Sequence, residues 1–513
     1  MPTFTFLQPF GTWPFGTMMA GFGTPTTTTT TEMTYTSTEG FTLTMQGAGF
    51  AYDDNLVGND GAVTRIVVSQ NGVDFADFTG LDLGLQRLCT LVFGQDLGGM
   101  FAPPDPAQFE QVLLRGNDSI IGTSGSDRLT GGIGNDTISA ATGRDFITAD
   151  AGNDLLDGGG DRDTLSFDVS YSDFTAYRGV NLNALTGKVT DCWGAKDTIS
   201  GFEVFQDSVF SDLLIGSAVG ERFFLTRGND RADGGGGYDI LSYENAQAHG
   251  AVHGVRINLA TGLVRDAWGG TDQVSNFEQV RGTNFADSMN GSAADEDFVG
   301  GAGVDVIKGG SGFDVDHFFF ADDDPQGHGA SVDMRLVVNV LDDGFGNAET
   351  TVGIDGFEGT IYADKFIGNT AANKLIGVDG NDTLSGNGGA DTLVGGAGDD
   401  SMAGGAGADQ FLFDVPAPEA GVDRITDMAA GTDKIAVTPD WGGGLVNGGL
   451  VAGQFLSGAG ITQATTTDQR FIYNTTTGNL YFDVDGLAGA PGVKFAVLVN
   501  HAAITFEDFL VVG

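Results

Sequence analysis

The chain has 513 residues, with 69 acidic against 23 basic side chains and a formal net charge of −46; 57 of the acids are Asp and only 12 are Glu. That balance excludes nucleic acid as a partner, which needs a basic footprint, and disfavours an anionic membrane surface. Glycine, at 84 residues, is more than twice its usual share of about 7%. Yet 41% of the chain is hydrophobic, with 38 Phe, so a core is available and the chain is no disordered acidic tail.

In chain order, residues 1–45 read as a flexible arm with a Thr run, Thr26 to Thr31. No Lys or Arg precedes the apolar stretch in MPTFTFLQPFGTWPFGTMM, so it is not a standard secretory signal. No apolar run reaches the roughly 18 residues of a transmembrane segment. Residues 46–115 alternate like strands and read as a small β-rich N-terminal module. Cys89 and Cys192 are too few for a disulfide framework and read as two free, half-buried thiols, although one bridge between them is possible by count.

From residue 116 a ruler of nine sets in. Asp118, Asp127, Asp136, Asp145, Asp154 and Asp163 are each followed two residues later by Ile120, Leu129, Ile138, Ile147, Leu156 or Leu165. Gly116, Gly125, Gly134, Gly143 and Gly152 stand two residues before the first five acids. The ruler restarts at Asp212, Glu221, Asp230 and Asp239, then at Asp287, Glu296, Asp305 and Asp314. It restarts last at Asp364, Asn373, Asp382, Asp391, Asp400 and Asp409, where Gly389, Gly398 and Gly407 precede the final three acids. A Gly/Asp-rich linker has no reason to keep an apolar residue in phase with an acid.

GGIGNDTIS (131–139), GNGGADTLV (386–394) and GGAGDDSMA (395–403) resemble the RTX family of hemolysin-type calcium-binding repeats, whose nonapeptide reads G-G-x-G-x-D-x-U-x. The resemblance implies an all-β repeat protein of parallel β-rolls. In it G-G-x-G-x-D makes a turn, x-U-x makes a short strand, and two nonapeptides complete a coil. The arrays span 116–166, 212–242, 287–317 and 364–409. Calcium is the implied cofactor, held by the ladder Asp residues and the glycine-turn carbonyls, because Asp carries a carboxylate close to the backbone and hard oxygen ligands select Ca²⁺. With a site between repeats n and n+2, the arrays offer about twelve sites, weaker where Glu221, Glu296 or Asn373 contributes. Asp316, at an apolar position, reads as the frayed end of the third array.

Between the arrays lie inserts at 167–211, 243–286 and 318–363. VNLNALTGKVTDCWGAKDTISGFE (180–203) parallels VRINLATGLVRDAWGGTDQVSNFE (255–278), with a divergent third copy at 337–358. Alternating apolar residues around a Thr-Gly or Asp-Gly turn predict β-hairpins. Trp193, Trp268 and Phe345 hold equivalent places, read as packing caps on the roll. The functional alternative is an aromatic platform for sugar flanked by Asp191, Asp197, Asp266 and Asp272. Array plus insert makes a super-repeat of a solenoid kind.

Residues 410–513 read as a β-rich C-terminal module. GADQFLFD (407–414), GVDRITDMAAGTDKIAV (421–437) and YNTTTGNLYFDVDG (473–486) look like the end of serralysin-type RTX exoproteins. That likeness implies an uncleaved type I secretion signal, here ending Asp508-Phe509-Leu510-Val511-Val512, and the type I secretion machinery as a partner. Asp483 and Asp485 before Gly486 read as a further calcium turn or a plain exposed turn.

No catalytic motif is legible. The paired His249 and His253 have Gly250 where a zinc protease needs its general base, and Leu259 where the third ligand would fall. No G-x-S-x-G elbow has legible partners. The expectation is a secreted or cell-surface calcium-binding protein that is not an enzyme, with a structural, adhesive or assembly role and a self-assembly or cell-surface partner. The alternative is an exoenzyme or toxin-type protein acting through the N-terminal module or the inserts.

Overall fold

Each nonapeptide spends most of its length on a glycine turn, which leaves three residues for a strand. The computed structural model describes residues 117–168, 176–318, 328–417, 421–489 and 491–513, and the backbone of six strands between residues 3 and 84. Three-residue strands recur throughout the arrays, as at Ser119–Ile121, Arg128–Thr130 and Thr137–Ser139, with only the central side chain of each buried. Among the described residues there is no α-helix, only strands and short 3-10 turns. The protein is all-β.

The strands stack in parallel with a register of one coil. Ile120 lies beside Ile138, and Ile138 beside Leu156, on one face. Leu129 lies beside Ile147, and Ile147 beside Leu165, on the other. These residues are at most 2% exposed. Successive repeats alternate faces because nine residues make half a coil, so both apolar rows turn inward as a thin core. Burying each such side chain stabilises by about 1.5–3 kcal/mol.

The chain divides into two compact units, residues 1–242 with 270–277, and residues 243–269 with 278–513. In the first unit the antiparallel strands Glu32–Thr36, Phe41–Tyr52, Gly58–Gln70 and Val73–Gly84 form a meander. Thr3–Phe6 joins this meander to the first rung of the roll by pairing with Ser119–Ile121. Phe41–Tyr52 runs across the boundary between residues 45 and 46, where the sequence reading divides the arm from the module.

The first insert adds rungs to the roll instead of leaving it. Asn181–Asn183, Lys188–Thr190 and Lys196–Ser200 form an antiparallel meander. Its last strand lies parallel on Leu155–Asp157, and its first parallel on Leu213–Ile215. The chain therefore overshoots, doubles back and resumes. In the second unit the third insert repeats the device: Thr350–Val352 lies parallel on Val306–Lys308, and Ser331–Asp333 on Lys365–Ile367.

Three expectations are corrected. Asp316 is no frayed end: Val315–His317 pairs with Asp297–Val299 and with Gly356–Glu358, so the roll runs through it and its side chain is buried. The neighbouring His317 ring is held by Asp297 at 3.2 Å and Glu358 at 3.0 Å, which anchors this inward acid's strand to both flanks. Cys192 is a free thiol but fully buried, not half-buried, because it lies in the inward-facing turn of the insert; Cys89 lies outside the described residues. The roll also does not stop at 409. Met402 is followed in register by Ile425, and Phe411 by Ile435 and then Phe509. An aromatic cluster closes the second unit, with Trp441 5.0 Å from Phe495 and 5.1 Å from Phe482, and Phe471 4.7 Å from Phe509.

Candidate metal centre

The ladder acids sit at the end of each glycine turn, two residues before an inward apolar side chain, and within each unit the fold draws them into two columns. All 17 Asp of the ladder are buried, as are Glu221, Glu296 and Asn373. Beyond the first coil, one oxygen of the ladder carboxylates is used by the backbone of the previous coil. The amide of Asp118 donates to Oδ1 of Asp136, and that of Asp127 to Oδ1 of Asp145, each at 2.7 Å. The pattern repeats from Asp136 to Asp154 and from Asp145 to Asp163 in the first array. It recurs from Asp212 to Asp230, from Asp287 to Asp305, and from Asp364 to Asp382, Asp382 to Asp400 and Asp391 to Asp409. Asp239 and Asp314 accept in the same way from the amides of Glu221 and Glu296.

The second oxygen is used by a nearby Ser or Thr amide at Asp127, Asp212, Asp287 and Asp364; deeper in the arrays it differs. Oδ2 of Asp136, Asp145, Asp163, Asp382, Asp391 and Asp409 finds no hydrogen-bond partner among the described residues. Burial pushes the Asp136 and Asp154 carboxyls up to about 7 and Asp382 up to about 8, with neighbouring carboxylates adding to the rise and the backbone hydrogen bond opposing it. An ionised carboxylate buried without compensation is costly, so these oxygens call for a cation or a proton.

The glycine turns bring carbonyls to the same place. A Cβ on Gly152 would stand 1.4 Å from the Gly134 carbonyl oxygen, one on Gly398 1.5 Å from that of Gly380, and one on Gly407 1.4 Å from that of Gly389. Gly134, Gly143, Gly389, Gly398 and Gly407 also have positive φ, which glycine adopts without steric cost. Gly125 lies under Gly143, where a Cβ would meet its carbonyl; Gly116 lies outside the described residues. Orphaned carboxylate oxygens beside stacked carbonyls are the donor set a hard, oxygen-seeking divalent cation requires, so the residues fit calcium.

Several acids continue the columns beyond the arrays. Asp197 Oδ1 accepts from the Asp154 amide at 2.9 Å and Asp272 Oδ1 from the Asp230 amide at 3.0 Å. Asp423 and Asp433 take the same bonds from Asp400 and Asp409 at 3.0 and 3.1 Å. The regular spacing hides them, since the separations are 43, 42, 23 and 24 residues. The signal that finds them is the acid-x-apolar triplet itself: Asp197-Thr-Ile199, Asp272-Gln-Val274, Asp423-Arg-Ile425 and Asp433-Lys-Ile435.

Asp191, Asp197, Asp266 and Asp272 are all buried, which removes the open sugar platform. Trp193, Trp268 and Phe345 do occupy equivalent turns. Their amides donate to Oδ1 of Asp191, Asp266 and Asp343 at 3.0, 2.9 and 2.8 Å. Near the C-terminus, Asp483 Oδ1 accepts from the Gly486 amide at 2.7 Å and closes a turn. No helix among the described residues is long and apolar enough to cross a membrane.

A family model of the RTX calcium-binding nonapeptide repeat matches residues 114–147, 131–165, 211–244, 279–316, 358–393 and 376–411. No curated protein matches the chain. Among solved structures, a subunit of the mannuronan C5-epimerase of Azotobacter vinelandii is similar at 27% identity, over 29% of this chain and 78% of that one, with a TM-score of 0.21. The extracellular lipase LipA of Serratia marcescens is similar at 13% identity, over 77% of this chain and 40% of that one, with a TM-score of 0.18.

Proposed function

From the RTX calcium-binding nonapeptide repeats that this chain carries, we propose a secreted protein whose rolls fold when calcium fills them outside the cell. Its role is structural: surface layer, matrix, adhesion or assembly. The observation that carries the reading is the set of buried Oδ2 atoms, on Asp136, Asp145, Asp163, Asp382, Asp391 and Asp409, that find no donor among the described residues. Ladder Asp residues with the glycine-turn carbonyls of the next coil form about twelve sites, counted as repeat n with repeat n+2.

The physics sets the switch. In a cytosol at sub-micromolar calcium, sites of the extracellular class, with dissociation constants of about 10⁻⁴–10⁻³ M, stand empty. A chain of net charge −46 with facing carboxylates then repels itself, and its thin core does not offset the repulsion. Outside, each site filled at a hundred times its dissociation constant adds about 2.7 kcal/mol. Circular dichroism in EGTA and in 10 mM calcium tests this: the β signal should grow with calcium, and equal β content in both would overturn the reading.

Export is proposed to use the C-terminal segment, as the likeness to serralysin-type exoproteins implies. The strand Phe509–Val511 pairs with Lys434–Val437, so a segment read unfolded during transport becomes a structural rung afterwards. Deleting about the last 50 residues should leave the protein inside the cell; full-level appearance in the medium without lysis would refute this route.

A further inference from the structure

We propose that one sheet face of the second unit, built on Arg256, Arg265 and Lys308, docks a polysaccharide that carries carboxylates. The inference rests on the matrix and adhesive reading above, whose partner it names, and it uses none of the ladder acids.

Five strands of that unit lie side by side in the order Leu263–Arg265, Arg256–Asn258, Ser288–Asn290, Val306–Lys308 and Thr350–Val352. Their central residues are all buried, so the flanking side chains face out. Arg265 stands directly opposite Arg256, and Lys308 lies two strands further on, beside Val352. All three cations are exposed. Not one outward position on these five strands is acidic, in a chain of net charge −46. The unit's other sheet differs, since Asp297 and Glu358 flank His317 there and bond it.

The arginines point to an anion. Like charges directly opposite each other destabilise an antiparallel pair, and among the described residues no carboxylate pairs with Arg256, Arg265 or Lys308. Guanidinium groups grip a carboxylate through two parallel hydrogen bonds. The other outward side chains suit a sugar chain: Asn258, Ser288, Asn290 and Thr350 can bond hydroxyls, while the exposed Leu263, Val306 and Val352 meet the C–H faces of the rings. The face is also narrow. Five three-residue strands, about 4.8 Å apart with a rise of about 3.3 Å per residue, make a strip of roughly 19 by 7 Å. A stable protein interface needs about 800 Å² on each partner, so a second copy of this chain is a poor occupant. Duplex nucleic acid presents a charge every ~1.7 Å, too dense for three cations to match. A single linear polymer with spaced carboxylates meets both limits.

The sample is the full-length protein in calcium, and the probes are fluorescein-labelled hyaluronan and short oligogalacturonates, read by fluorescence anisotropy. At least one should bind, and neutral dextran should not. R256S/R265S should weaken binding about tenfold, the order expected of two exposed charge contacts. The charge-matched K374S/K434S, on the unit's other sheet, should change it little. Circular dichroism should show R256S/R265S folded and no less heat-stable than the parent, because the facing charges are gone. Binding of neither acidic polymer, or equal weakening by both double variants, overturns the proposal. Poly-glutamate bound as tightly as the polysaccharides would make the face a peptide site and overturn the assignment too. Polysaccharide binding that both double variants leave intact would keep an adhesive role and remove this face from it.

Discussion

The amide of Asp136 donates to Oδ1 of Asp154 at 2.7 Å, while Oδ1 of Asp136 accepts from Asp118 at the same distance. An interior ladder acid therefore has two separable tasks on the proposed reading: one oxygen stitches coil to coil, and the other is left for the cation.

Substitution separates the tasks. Asp136→Asn keeps an acceptor for the Asp118 amide and removes the charge, so it should raise the calcium midpoint while making the calcium-free roll no less stable. Asp136→Ala loses both and should cost about 1 kcal/mol more, the net worth of the hydrogen bond. Asp391→Ala should resemble Asp136→Ala, and terminal Asp118→Ala should shift the midpoint least, because Asp118 begins its column. Calcium titrations followed by circular dichroism would show the order; equal shifts for Asp118 and Asp136 would contradict it.

Asn373 is the natural version of the first substitution. Its Nδ2 donates to the Asp355 carbonyl at 3.2 Å, and its Oδ1 accepts from the Asn369 amide at 2.9 Å. An amide hydrogen thus satisfies an oxygen that elsewhere in the ladder would meet a carboxylate and an ion. Asn373→Asp should lower stability in EGTA by about 1–3 kcal/mol, the cost of an unpaired buried group, and add one bound calcium at saturation. Isothermal titration calorimetry on both proteins checks the count.

Much of this was legible because two periods coincide. The nine-residue spacing gave the ladder, and the acid-x-apolar phase gave the inward face. Asp197, Asp423 and Asp433 escaped because their neighbours in space are not their neighbours at the regular interval: an overshooting meander or a loop lies between. Asp316 was misread for the opposite reason. Its position in the sequence is apolar, yet tertiary pairing with Phe298 and Phe357 carries the roll straight across it.

Glycine positions should split into two classes. Gly407, at φ +153°, would place a Cβ 1.4 Å from the Gly389 carbonyl oxygen, whereas a Cβ on Gly388 would meet nothing nearer than 3.6 Å. Gly407→Ala should abolish calcium-induced folding of the last array, since backbone must move to admit the methyl. Gly388→Ala should change stability by under about 1 kcal/mol. Thermal unfolding in saturating calcium distinguishes them, and equal behaviour would disprove the close coil-to-coil approach.

Acid should act oppositely on the two states of the protein. Burial raises Asp136 and Asp154 to about 7, and Asp197, Asp382 and Asp423 to about 8, from an ordinary 3.8. For an acid whose folded value is raised, the folded state holds more protons than the unfolded chain. The associated stability is complete below about pH 4 and is lost as pH rises through 7 to 8. In EGTA the rolls should therefore gain β structure on acidification from pH 8 to pH 5. Calcium competes for the same oxygens and needs them deprotonated, so the calcium midpoint should rise over the same interval. Loaded protein should accordingly release its ions as the pH falls, and a protonated, metal-free roll should take its place. Circular dichroism at pH 5 and pH 8, with EGTA and with calcium, gives all four corners. A metal-free protein that stays unstructured at pH 5, or a calcium midpoint that does not move with pH, would show that the buried carboxylates do not govern the transition.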